Sequence, residues 1–268
     1  MAFDAFFLDA PAGRRFCVHT PAHGAARGAV LYLHPFAEEM NRSRKMAALQ
    51  ARALGEAGYA VLQIDLGGCG DSAGDFGDAT WAGWVEDALA AAAWLAARQA
   101  GPLWFWGLRA GALVAAGALA HYRGAAGLLL LQPALSGEQV LRQFLRLKVG
   151  ASLNAGGARG GVEALLRDLE SGKAVEVAGY TLGPALAHEL AAAALTLPAG
   201  AMRIECIELA PGPQGEVSPA LAALAAQWRA AGHAVRTAVI DAPPFWQTVE
   251  LTVSPAVVAA TVAALAPQ

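Results

Sequence analysis

Short apolar runs with no polar alternation recur along this chain, separated by helix-forming segments. Ala29–Leu33, Ala60–Asp65, Leu103–Trp106 and Ala126–Leu131 read as strands, with helices at Arg42–Ala57, Thr80–Ala97 and Ala110–His121. A strand that faces water on one side alternates apolar and polar residues, so runs without alternation are covered on both faces. Strands of this kind joined by helices predict an α/β chain with a mostly parallel sheet. Two further β-type runs, Phe3–Leu8 and Arg15–His19, are joined by Pro11-Ala12-Gly13 and predict an antiparallel edge pair.

The rhythm breaks between Pro133 and Pro198, where helices are expected at Gly137–Val149, Gly161–Gly172 and Leu182–Leu195 with a glycine-rich loop, Asn154–Gly161. It resumes with strands Arg203–Leu209 and Val235–Ile240 and helices near Pro219–Ala231 and Val253–Leu265. The expected organisation is a core of residues 1–133 and 199–268 with a helical cap, 134–198, inserted into it.

Hydrophobic residues make up 56% of the 268 and charged residues 15%, ample for a buried core. A net charge of −3 without a basic run argues against a nucleic-acid partner. The mean hydropathy of +0.40 comes largely from alanine. Uncharged stretches such as Leu190–Met202 are shorter than the roughly 18 residues a membrane span needs, so no transmembrane segment is expected. Met1–Phe7 has no basic region or cleavage site, and Cys17, Cys69 and Cys206 are scattered and odd in number. Both features predict a cytoplasmic chain with reduced thiols. Neither metal spacing nor a cofactor motif is present, and Gly67-Gly68-Cys69-Gly70 lacks the Lys-Ser/Thr of a phosphate loop.

The segment Leu103–Ala116 reads as strand, tight turn and helix, with the turn spelled Gly107-Leu108-Arg109-Ala110-Gly111. G-x-S-x-G in that setting is a nucleophile elbow, which lifts a serine hydroxyl above a parallel sheet. Here the centre is Arg109. A guanidinium is a donor only, so it is no nucleophile.

With this elbow the whole chain resembles the α/β-hydrolase superfamily. More narrowly it is similar to the second type of exosortase A system-associated hydrolases, through His34–Arg44, Asp65–Phe76, Gln143–Leu147, Glu176–Tyr180 and Pro244–Gln247. The resemblance implies a role near envelope polysaccharide production or protein sorting in a Gram-negative bacterium, and a companion α/β-hydrolase-like protein as a partner. It implies no substrate.

The superfamily's chain order is nucleophile, acid, histidine. After Arg203–Leu209 only Glu216 could supply the acid, and the loop Asp241–Gln247 has no histidine, since His233 precedes its strand. Ser-His-Asp hydrolysis is therefore not expected. His34-Pro35-Phe36 follows the first parallel strand, where relatives carry an oxyanion loop.

Three readings remain open. In the first, Arg109 at a helix N-terminus binds an anionic small molecule or lipid-linked saccharide, within a site formed by Leu108, Ala110, His34, Phe36, Glu38, Glu39 and Trp246. Against it, Arg109 forms an internal ion pair with Glu38 or Glu39 and fills a dead pocket. In the second, Cys69 acts as nucleophile with His34 as base, in ester or thioester chemistry; packing of Cys69 as a small hydrophobe is the alternative. In the third, the chain is a non-catalytic interaction protein. Trp81, Trp84, Trp104 and Trp106 are assigned to packing, and Glu86 and Asp87 to a solvated helix face.

Overall fold

The computed structural model describes residues 3–154, 161–210, 212, 215–248, 250 and 252–267. The glycine-rich loop expected around residues 155–160 lies outside them. Strands β1 (Asp4–Ala10), β2 (Gly13–Thr20), β3 (Gly28–Leu33), β4 (Tyr59–Ile64), β5 (Leu103–Leu108), β6 (Ala126–Leu131), β9 (Arg203–Leu209) and β10 (Ala234–Ile240) form one sheet. Its order is β1-β2-β4-β3-β5-β6-β9-β10. The strands from β4 to β10 in that order run parallel, while β1 and β2 form the expected antiparallel edge.

Alternate residues of the same strand feed opposite cores. Leu31, Leu33, Phe105, Leu128 and Leu130 meet α2 (Trp81–Ala96) and α3 (Gly111–His121) on one face. Val30, Tyr32, Trp104, Trp106, Leu129 and Leu131 meet α1 (Glu38–Glu56) and α8 (Pro255–Leu265) on the other. Both faces being buried explains the unalternated strands. Alanine at Ala88, Ala91, Ala92, Ala112, Ala115 and Ala116 lets α2 and α3 sit close to the sheet, and all six are buried. α7 (Pro219–Ala230) follows β9, capped by the Ser218 hydroxyl, which accepts from Leu221 N–H.

Between β6 and β9 lie α4 (Gly137–Asn154), α5 (Gly161–Glu170), the hairpin β7 (Val175–Val177) and β8 (Tyr180–Leu182), and α6 (Pro184–Ala192). The outgoing and returning chains are stitched together: Gly137 N–H donates to Ala193 O at 2.8 Å and Leu195 N–H to Leu135 O at 3.1 Å. No helix among the described residues is long and apolar enough to cross a membrane.

Three expectations change. α1 begins four residues before Arg42, because Glu38 and Glu39 occupy its first turn, where the helix dipole favours carboxylates. The hairpin β7–β8 takes residues expected to be loop and the start of α6, which begins instead at Pro184. Asp87 does not face solvent. It is 1% exposed, paired with Arg15 at 2.7 Å across from β2.

Candidate functional site

The turn between β5 and α3 has the geometry that its glycines dictate. A Cβ on Gly107 would meet Ala112 Cα at 2.4 Å, and one on Gly111 would meet Leu33 O at 2.1 Å. Neither position tolerates a side chain without moving backbone. Arg109 between them has φ +54°, the left-handed region in which a non-glycine residue carries about 1–3 kcal/mol of strain. Backbone bonds hold it there: its N–H donates to Leu131 O at 3.1 Å, and its carbonyl accepts from Ala112 and Ala134 N–H at 3.1 and 3.0 Å. The turn is a nucleophile elbow in every respect but its central side chain.

That side chain enters a cavity of about 420 Å³ at the carboxyl ends of the strands. Its polar wall includes Arg109, Glu38, Glu39, Arg42, Gln143 and Gln247, and its apolar wall Phe36, Ala110, Val140, Phe144, Leu147 and Trp246. Arg109 donates to Glu39 Oε1 from Nε at 3.4 Å and from Nη2 at 3.3 Å, and Nη2 also donates to Gln143 Oε1 at 3.2 Å. Its guanidinium carbon lies 5.4 Å from the centre of the Trp246 ring, a cation–π distance. No described residue accepts from Nη1, nor from the backbone N–H of Phe36 or Ala110. Those two N–H groups occupy the oxyanion-hole positions of the fold.

The carboxyls opposite are unusual. Burial pushes the Glu39 carboxyl above its ordinary range, against the lowering effect of Arg109, and burial likewise raises Glu38. Glu38 Oε2 is buried and has no hydrogen-bond partner among the described residues. Of the two expected ion-pair partners, Glu39 is the one that meets Arg109.

The cavity brings together Arg109, Ala110, Phe36, Glu38, Glu39 and Trp246. Leu108 and His34 are not among its lining residues. Leu108 is buried in β5. His34 is locked within the loops: its Nδ1 meets Pro35 O at 2.8 Å, so that nitrogen carries the hydrogen, and Nε2 accepts from Leu66 N–H at 3.2 Å. Both nitrogens are engaged, and burial lowers its pKa. Cys69 is buried, and burial with Asp65 and Asp87 nearby pushes its thiol far up, which favours the packed thiol over a thiolate. Glu216 is exposed. Trp246 sits in the loop that should carry the histidine.

Sequence reasoning missed Val140, Gln143, Phe144 and Leu147, all on α4, because nothing in a helix pattern says which core turn it will face. Arg42, on the same helix as Glu38 and Glu39, also lines the cavity, and its Nη1 donates to Gln247 O at 3.1 Å across the rim. Arg44, two residues further along, turns elsewhere, to Asp65 at 2.8 Å.

The family model of serine aminopeptidases, S33, matches residues 24–194, more than half of the chain. The chain belongs to that family. Solved structures similar to this S33 chain include Est1E from Butyrivibrio proteoclasticus, determined with ferulic acid bound (TM-score 0.67, 18% identity, 97% of each chain covered). XC6422 from Xanthomonas campestris, described as an α/β serine hydrolase without lid, has a TM-score of 0.58 at 19% identity, covering 99% of this chain and 94% of that one. A carboxyl esterase from Bacillus coagulans gives 0.61 at 17%, covering 89% and 90%. At such identities the likeness establishes the α/β-hydrolase fold. No curated protein matches the chain in sequence. The S33 frame is thus intact, with a guanidinium where the family's name expects a serine and an indole where the histidine belongs.

Proposed function

We propose that this S33 chain is a non-hydrolytic member of its fold that binds an anionic small molecule in the Arg109 cavity. The observation that carries the reading is the guanidinium at the nucleophile position with Nη1 unclaimed by any described residue. Its bonds to Glu39 and Gln143 are longer than the roughly 2.7–2.9 Å of a strong charge-assisted bond, so an anion would meet a cation only loosely engaged. Two spare backbone N–H groups and the start of α3 add to the same preference. Residues 134–198 act in this reading as a cap, through α4, on the core formed by 1–133 and 199–268. The motif resemblance supports assignment to the second exosortase A system-associated type, in the cytoplasm, beside envelope polysaccharide production.

The test pairs two assays on purified protein. Short- and medium-chain p-nitrophenyl esters and thioesters are expected to show no turnover above background, and anion binding by calorimetry is expected to vanish in Arg109→Ala. Turnover that survives Arg109→Ala and disappears in Cys69→Ala would overturn the reading in favour of a cysteine enzyme. Stable co-purification with a companion hydrolase-like protein, indifferent to Arg109→Ala and without anion binding, would instead favour an interaction protein.

A further inference from the structure

The two walls of the cavity differ in chemistry, and together they specify more than an anion. The polar wall holds Arg109 and Arg42 against Glu38 and Glu39, so its formal charges balance. A single carboxylate can bridge the unclaimed Nη1 and Nη2, displacing from Nη2 the neutral Gln143 amide, whose residue is exposed and whose oxygen lies 3.2 Å away. A dianion such as phosphate would bring its second charge against two carboxylates already pushed toward protonation by burial.

The apolar wall is rich in aromatic side chains. Phe36 and Phe144 meet edge to face with centroids 5.1 Å apart, and Trp246 closes the side beside the guanidinium. Leu147, on the rim, is 42% exposed, one of the few large apolar side chains left open. A bare inorganic anion would leave this wall in water. An alkyl or aryl body would cover it, each buried methylene being worth roughly fourfold in affinity. A volume of about 420 Å³ stands near the lower end of small-molecule sites, roughly 300–1,000 Å³, which suits a medium body rather than a long lipid chain.

We propose that the ligand is a monocarboxylate bearing a medium-sized apolar body, its carboxylate on Arg109 and its body against Phe36, Phe144, Leu147 and Trp246. This rests on the anion-receptor reading and narrows it to one class, amphiphilic carboxylic acids, in preference to phosphates or sugars.

Isothermal titration of the intact chain with acetate, butanoate, hexanoate and octanoate tests the idea, with octanol and inorganic phosphate as controls. Affinity is expected to climb by up to about fifteenfold with each added pair of methylenes. Octanol and phosphate should each bind at least tenfold more weakly than octanoate, and Arg109→Met should lose tenfold or more. Gln143→Ala, at an exposed helix position, should tighten octanoate a few-fold by removing the acceptor it displaces. Acetate or phosphate binding as tightly as octanoate, in an Arg109-dependent way, would sink the amphiphile and leave the anion receptor standing. Octanol matching octanoate would remove the carboxylate from the recognition. No Arg109-dependent anion binding at all would overturn both readings. An unchanged affinity in Gln143→Ala would overturn the displacement that seats the carboxylate.

Discussion

Among the arginines that this chain pairs with carboxylates, Arg15 and Arg109 could hardly differ more. Arg15 of β2 meets Asp87 of α2 at 2.7 Å, with side chains 3% and 2% exposed. The Nε–H bond is not aimed along that contact, so it is ionic rather than a directed hydrogen bond. The second oxygen of Asp87 accepts Gly67 N–H at 2.8 Å, which ties the glycine loop after β4 into the same knot. Arg109 meets Glu39 at 3.3 Å, with 14% and 17% exposed, in a larger cavity and with donors to spare. A short pair buried this deeply is structural, because removing either partner strands a charge. A long pair beside a cavity exchanges partners at little expense. The two pairs are told apart by length and depth together, one short and almost wholly buried, the other long and open to a cavity.

The most damaging way to probe this contrast is at the closed pair. Asp87→Ala should lower stability by about 3–5 kcal/mol in urea denaturation, and Asp87→Leu with Arg15→Met should recover most of the loss. Next comes exchange at the elbow. Arg109→Ser alone should remain without esterase activity, since Trp246 offers no base. Adding Trp246→His should raise p-nitrophenyl ester turnover over the single variant on the order of a hundredfold, the lower end of what a general base contributes. A smaller effect is expected from Arg109→Gly. Release of the left-handed strain, of order 1 kcal/mol, offsets the lost loose pair, so thermal stability should move by less than about 1 kcal/mol. A loss matching that of Asp87→Ala would erase the distinction between the pairs.

The mildest probe is pH. The charges facing Glu39 are Glu38, Arg42 and Arg109. Burial raises Glu39, so as pH falls its carboxyl protonates earlier than an ordinary glutamate and gives up its claim on Arg109. Glu38, also raised, shifts in the same direction. Octanesulfonate, a monoanion throughout, should therefore bind a few-fold more tightly at pH 5 than at pH 7, and a flat profile would mean that Glu39 does not compete for the site.

The sheet was legible because buried parallel strands leave unalternated apolar runs, and the elbow because its glycines are a steric necessity. The hairpin was not. Its turn puts Ala178 at φ +50° and Gly179 at φ +85°, a conformation that sequence usually advertises with Asn-Gly or Asp-Gly. Asp87 was misread because a carboxylate on a helix is solvated by default, and its partner lies far away in sequence, on β2. In the site, Arg109, Glu39 and Trp246 could be reached from the order of loops along the strands. Gln143 and Phe144 could not, because the path of the chain between β6 and β9 decides which face of α4 meets the elbow.

The glycines of the elbow have a consequence for how such a protein changes its occupation. The clash at Gly111 is with the backbone of the neighbouring strand, and the clash at Gly107 is with the helix that follows. The constraint therefore belongs to folding and persists whether or not any reaction takes place there. Position 109 is left as an interchangeable fitting: a few nucleotide changes replace the tool without disturbing the handle. An enzyme can thus become a receptor, and a receptor can be turned back into an enzyme, while the architecture around that single residue stays as it was.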